Sequence, residues 1–297
     1  MKLRPFVASL LLLTAACSDD DAESASPADA GHLADGGPLA HADGGPVTNL
    51  DGGSLLDAGL GHGGDGGADA GPAAWSYEGI TGPSAWARLD PASYYMCADP
   101  IHESPIDLRT AIAATDLPDA VAAYGSSKLS VSNTGHTVQF NYDANSKVNV
   151  GGVDYALVQF HFHRHSEHTV DGKATAMELH LVHQDASGNK LVLAVFIEEG
   201  AANPVLAPLW SVIPTAAGVT FADPATSYGL MSVLPAGDAW RYVGSLTEPP
   251  CTQTVQWILY KTPITLSAAQ IASFSALYPN NFRSSQQLGT RVVTFGR

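Results

Sequence analysis

Two short apolar runs constrain this chain more than any other feature, because each carries histidine on a two-residue repeat. In Tyr155-Ala-Leu-Val-Gln-Phe-His-Phe-His163 the side chains alternate with the period of a β-strand, so Gln159, His161 and His163 share one face. In Met177-Glu-Leu-His-Leu-Val-His183 the same period groups Glu178, His180 and Val182 and turns His183 to the opposite face. Asp171-Gly172 between the runs is a turn signal. Adjacent strands of this kind aim three imidazoles at one point. A lone buried histidine is ordinarily a hydrogen-bonded core residue, and His168 and His183 are read that way. Three on one strand pair, with Gln159 and Glu178 able to fix ring tautomers, point instead to a metal. Three neutral nitrogens leave a tetrahedral Zn²⁺ one open position, the pattern of a catalytic rather than a structural site.

Further alternating runs at 128–132, 137–141, 191–197 and 254–261 join those at 156–163 and 176–183. They predict a mainly β (α+β) domain around a mostly antiparallel sheet. The segments 203–212 and 267–277 read as short peripheral helices. A single domain of this size can bury a substantial core.

The motifs Gln159-Phe-His-Phe-His163, Ser166-Glu-His-Thr-Val170, Glu178-Leu-His-Leu-Val-His183 and Gly244-Ser-Leu-Thr-Glu-Pro-Pro-Cys251 resemble, in order and content, those of the α-class carbonic anhydrases. Ser104-Pro-Ile-Asp107, Asn133-Thr-Gly-His136 and Asn281-Phe-Arg283 follow the same order, as does the aromatic start with Trp75, Tyr77 and Trp86. The likeness covers residues 74–297, and with the N-terminal segment described below it suggests a bacterial, exported member. It implies a large twisted, mostly antiparallel central sheet with small flanking helices. It also implies zinc-dependent reversible hydration of carbon dioxide to bicarbonate and a proton by zinc-bound hydroxide, with esterase activity as a side reaction.

Residue by residue, the resemblance makes His161, His163 and His180 the zinc ligands. Gln159, Glu178 and the backbone carbonyl of Asn281 become the acceptors for their far N–H groups. Glu167 would accept the hydroxyl proton of Thr247, whose oxygen then orients the nucleophile. Val182, Val192, Leu246, Val255 and Trp257 match an apolar wall for carbon dioxide, a substrate without net dipole. His136 matches the proton shuttle, a role suited to an imidazole's titration range. Cys97 and Cys251 match a pair of positions close in space, hence a disulfide.

Four positions depart from the family pattern. Glu248 stands after Thr247 where a threonine or another small residue is commoner. A carboxylate entering the pocket there raises the pKa of zinc-bound water and repels bicarbonate; facing solvent, it does neither. Glu103 replaces the usual glutamine, and Arg164-His165 replaces a smaller or prolyl pair, with His165 a solvated loop residue or an auxiliary proton carrier.

The N-terminal part has another character. Residues 1–17 combine a basic start, a short apolar stretch and Leu13-Thr-Ala-Ala-Cys17, a pattern resembling a bacterial lipoprotein signal with Cys17 as the lipid-bearing residue. An ordinary signal-peptidase site near Ala16 is the alternative. Either predicts export to the periplasm or cell surface, and lipidation predicts membrane anchoring, by weak preference at the outer membrane. Residues 18–73 hold eleven acidic residues, no lysine or arginine and no aromatic residue, so they bury too little apolar surface to fold. They read as a disordered Asp/Gly/Ala-rich tether before the catalytic domain at 74–297. Most of the net charge of −15 therefore lies in the tether, and the acidity argues against nucleic-acid binding. With Cys17 set aside, Cys97 and Cys251 remain as the one pair an oxidising compartment would close. The sequence sets no oligomeric state.

Two other classes fit less well. His163-Arg-His-Ser-Glu167 satisfies half of a cupin metal motif, but no second half follows. A non-catalytic binding module of the same fold ordinarily lacks a zinc histidine, and here all three are present.

Overall fold

The computed structural model describes residues 74–143 and 145–297. The expected signal segment and tether, Cys17 included, lie outside the described residues. Twelve strands form one sheet: β1 (Ile112–Ala113), β2 (Ala120–Ala123), β3 (Ser127–Asn133), β4 (Val138–Asn141), β5 (Lys147–Val150), β6 (Val153–His163), β7 (Met177–Gln184), β8 (Lys190–Glu199), β9 (Thr220–Tyr228), β10 (Ala239–Ser245), β11 (Gln253–Leu266) and β12 (Thr294–Gly296). Their main order is β1-β12-β10-β11-β8-β7-β6-β4-β3-β9, with β5 joined to β6 and β2 to β5. Three short α-helices stand outside it: α1 (Trp86–Leu89), α2 (Ala207–Trp210) and α3 (Ala268–Ser275).

The predicted strands are all present, and most neighbours are antiparallel. The sheet is nevertheless mixed, because β8 and β11 run parallel, as do β1 and β12. That pairing joins residues far apart in sequence, which no local period can signal. At the centre the strands are buried on both faces. Leu179, Leu181, Leu191 and Leu193 join one apolar cluster with Phe140, Phe160 and Phe162. Val182, Val192, Val255 and Trp257 belong to a second cluster on the other face. Each fully buried side chain of this size contributes about 1.5–3 kcal/mol, so the β6–β7–β8 unit is held firmly from both sides.

The helices are shorter than the sequence suggests. Asn203 uses its side-chain oxygen to accept from the Val205 and Leu206 N–H groups, which makes a turn of 203–206 and delays α2 to Ala207. In α3, Ser267 and Gln270 form a reciprocal capping box, and Ile271 and Phe274 bury against the core. A third cluster gathers Trp86, Tyr94, Cys97 and Cys251. Cys97 and Cys251 are bonded there, with Cα atoms 5.1 Å apart, closing a separation of 154 residues.

Candidate metal centre

Register between β6 and β7 builds the centre. His161 lies opposite His180, His163 opposite Glu178, and Gln159 opposite Val182. Period two on both strands turns the three imidazoles to the same face, with ring centroids 4.6–5.3 Å apart. One nitrogen from each ring lies within 4.8 Å of the others.

The remaining nitrogens decide what this cluster can hold. His161 Nδ1 donates to Gln159 Oε1 at 2.8 Å, and His163 Nδ1 donates to the Asn281 carbonyl at 2.8 Å. His180 Nε2 donates to Glu178 Oε1 at 2.8 Å. Each ring thus keeps one lone pair for the cluster, and His163 Nε2 is buried without any partner. A buried acceptor left so costs roughly 1–3 kcal/mol unless something binds it. Burial lowers all three imidazole pKa values, His163 to about 3, so the rings are neutral and able to ligate. Three converging neutral nitrogens with carboxamide, carboxylate and carbonyl partners behind them fit zinc.

Glu178 does more than its expected part. Oε1 accepts from both His180 and His168 Nδ1, and Oε2 accepts the Glu167 and His168 backbone N–H groups at 2.9 Å. Burial pushes this carboxyl upward, but the facing His168 and His180 outweigh it and hold Glu178 below the usual carboxylate range. His168, read from sequence as structural, continues the chain through its Nε2 to the Tyr242 hydroxyl at 2.7 Å.

Beside the triad lies a cleft of about 230 Å³. It is lined by His161 and His180, by the apolar side chains of Val182, Val192, Leu246 and Trp257, and by Thr247 and Glu248. Trp257 is fixed by its indole N–H donating to the Ser245 carbonyl at 2.9 Å. Val255, expected in the wall, is fully buried behind it in the same apolar cluster. Glu167 is buried, and its Oε1 accepts the Arg283 backbone N–H at 2.8 Å while Oε2 makes no hydrogen bond of standard geometry. Burial pushes its carboxyl well above the usual range. The Thr247 hydroxyl acts on the same carboxyl and opposes that rise. A dication on the neighbouring imidazoles works in the same direction as Thr247.

His136 is placed differently. It stands in the turn between β3 and β4, half-buried, with its ring stacked on Trp75 at 3.7 Å and 6°. It lines a neighbouring hollow with Trp75, Tyr77 and Asn281 rather than the triad cleft itself. Partial burial lowers its pKa. His165 is exposed, contacting Arg164 and Phe282, and it does not line the cleft.

Two residues in the sequence motifs carry contacts that sequence alone did not assign. Tyr77 donates its hydroxyl to Glu248 Oε1 at 2.6 Å, and Glu248 is among the residues that line the cleft. Arg283 pairs its guanidinium with buried Glu103 and donates to the Ser104 and Cys97 carbonyls at 2.9 and 3.1 Å. Its backbone reaches Glu167, so one residue braces both the disulfide segment and the polar side of the cleft. Burial pushes Glu103 up to about 7 against the pull of Arg283.

Comparison with known proteins agrees with this geometry. The family described as eukaryotic-type carbonic anhydrase matches residues 81–297. A carbonic anhydrase of Klebsiella pneumoniae is 41% identical over 223 residues, spanning 74% of this chain and 89% of that one. A Nostoc carbonic anhydrase is 39% identical over 224 residues, with 74% and 84% covered. Among solved structures, an α-carbonic anhydrase of Thermovibrio ammonificans in complex with the inhibitor sulfanilamide superposes with a TM-score of 0.72. It is 38% identical, and the match covers 75% of this chain and all of that one.

Proposed function

The chain belongs to the eukaryotic-type, or α-class, carbonic anhydrases and uses zinc for the reversible hydration of carbon dioxide to bicarbonate and a proton; from this we propose how its own residues divide the work. The observation that carries the reading is the buried triad of neutral imidazoles, each with its far nitrogen already engaged. Bound zinc supplies a hydroxide nucleophile from water near neutral pH, a property for which carbonic anhydrase is itself the reference case.

His161, His163 and His180 hold the metal. Gln159, Glu178 and the Asn281 carbonyl fix their tautomers and ring planes, which keeps the ligand lone pairs converging. Glu167 accepts a hydrogen bond from the Thr247 hydroxyl, so the threonine oxygen is left as an acceptor that would orient the nucleophile toward carbon. The apolar wall of Val182, Val192, Leu246 and Trp257, backed by Val255, receives a substrate that offers little to hydrogen-bond. His136 carries the released proton to solvent; it is half-buried in a hollow beside the triad cleft, and its ring, stacked on Trp75, makes no hydrogen bond among the described residues. Small activated esters are a side substrate of the same centre.

We further propose export and anchoring: residues 1–17 as a signal ending at a lipid-bearing Cys17, and 18–73 as a tether to the membrane. The Cys97–Cys251 bond supports an oxidising compartment. The test of function is carbon dioxide hydration by the purified chain with and without a chelator. Activity lost to the chelator and restored by zinc is expected; a zinc-loaded protein without hydration activity contradicts the proposal.

A further inference from the structure

We propose that Glu248 is an anion filter: its carboxylate, fixed in the cleft wall by Tyr77, weakens the binding of anions, bicarbonate among them, at the metal centre. The inference rests on zinc binding to His161, His163 and His180 as described above. Three features bear on whether the Glu248 charge reaches the cleft.

First, Glu248 follows Thr247 directly and lines the same cleft as His161 and His180. Second, its orientation is held. The Tyr77 hydroxyl donates to Oε1 at 2.6 Å, and the Tyr77 ring is itself packed edge-on against Trp75 and Trp86, with centroids 5.3 and 6.0 Å away. Third, no cation pairs with it. Among the described residues Glu248 forms no ion pair and Arg283 is engaged by Glu103, while Lys190, which lines the same cleft, keeps its charge beside the neutral Gln184 and only partly counters the carboxylate. Oε2 takes no hydrogen bond among the described residues, and the side chain is only partly buried.

A carboxylate in that position acts selectively. Carbon dioxide is uncharged and is barely affected, whereas bicarbonate and inhibitory anions must approach against like charge in a partly desolvated cleft, where screening is weak. Glu248 is then a specificity-determining residue that disfavours retention of product and adventitious anions without touching the reacting atoms. Unit charges roughly 12 Å apart at an effective dielectric near 20 change binding about tenfold, and closer ones change it more.

Burial raises the pKa of the Glu248 carboxyl, so the experiment, calorimetric titration of the zinc-loaded full chain with thiocyanate, is run on the alkaline side at pH 8. Glu248→Gln keeps the size and removes the charge, and it is expected to bind thiocyanate at least about tenfold more tightly than the unmodified protein. Glu248→Thr, the commoner kind of residue at this position, should tighten binding similarly and serves if the glutamine variant does not fold. Glu248→Asp keeps the charge and should stay within about threefold of the unmodified protein. Charge-free variants that bind no more tightly overturn the filter, as does an aspartate variant that tightens as much as glutamine. A chain that shows this charge effect but hydrates no carbon dioxide contradicts the proposed function and not the filter. A chain that holds no zinc contradicts both.

Discussion

His163 and His136 are tied to the same asparagine, yet the protein surrounds them in opposite ways. The Asn281 carbonyl accepts from His163 Nδ1, and its side-chain amide donates to the His136 carbonyl at 3.1 Å. His163 sits on a central strand, fully buried, with one nitrogen engaged and the other held bare. His136 sits on a turn, half-buried, and among the described residues its ring makes no hydrogen bond and only stacks on Trp75. A metal ligand must be neutral and immobile before the ion arrives. A proton carrier must meet solvent and exchange its proton at ordinary pH. The strand pair serves the first need and the turn serves the second.

The difference can be tested from its largest consequence downward. The strand side is braced from behind by the disulfide segment, through Arg283 and Glu167. Replacing both cysteines by serine should lower stability by up to about 4–5 kcal/mol in the chain-entropy account, while zinc affinity changes little. Denaturant titration and equilibrium dialysis read the two separately. Next, Glu178→Gln removes a carboxylate that orients His180 and accepts from His168, and zinc affinity should fall about 10–100-fold in competition with a chelator.

The third test is protonation. Burial depresses the pKa of His163 to about 3 and of His183 to about 4, against an unfolded value near 6.5. Between those values the unfolded chain binds protons that the folded chain refuses. Stability of the zinc-free protein is therefore present above pH 6.5 and is lost as pH falls through that window, by about 1.4 kcal/mol per pH unit for each such histidine. In a proton NMR titration of the zinc-free protein, His163 and His183 should stay neutral at pH values where an unfolded imidazole is already protonated. The smallest effect belongs to the turn. His136→Ala should reduce kcat about tenfold in weak buffer, leave kcat/KM nearly unchanged and recover in imidazole buffer, since buffer can replace a proton carrier in part.

Much of this was readable from residues alone, for a physical reason. Period two along β6 and β7 places His161, His163 and His180 on one face whatever the rest of the chain does, so local pattern sufficed. The parallel contact of β8 with β11 and the pairing of β3 with β9 depend on chain segments distant in sequence, and alternation carries no record of partners. Val255 alternates like Trp257, yet which of them borders open space depends on how neighbouring loops close. The donation from Tyr77 to Glu248 spans 171 residues, and the two outcomes for Glu248 in the sequence could be separated only by seeing that contact. The shortening of α2 was in principle legible, because Asn203 is a residue that competes for backbone N–H groups at a helix start.

The central claim is that His161, His163 and His180 together form a zinc site. Metal analysis after exhaustive dialysis of the zinc-loaded full chain, beside its His163→Ala variant, tests this most directly. One tightly held zinc per chain in the unmodified protein and none in the variant is the predicted result; equal zinc content in the two, or none in either, contradicts it.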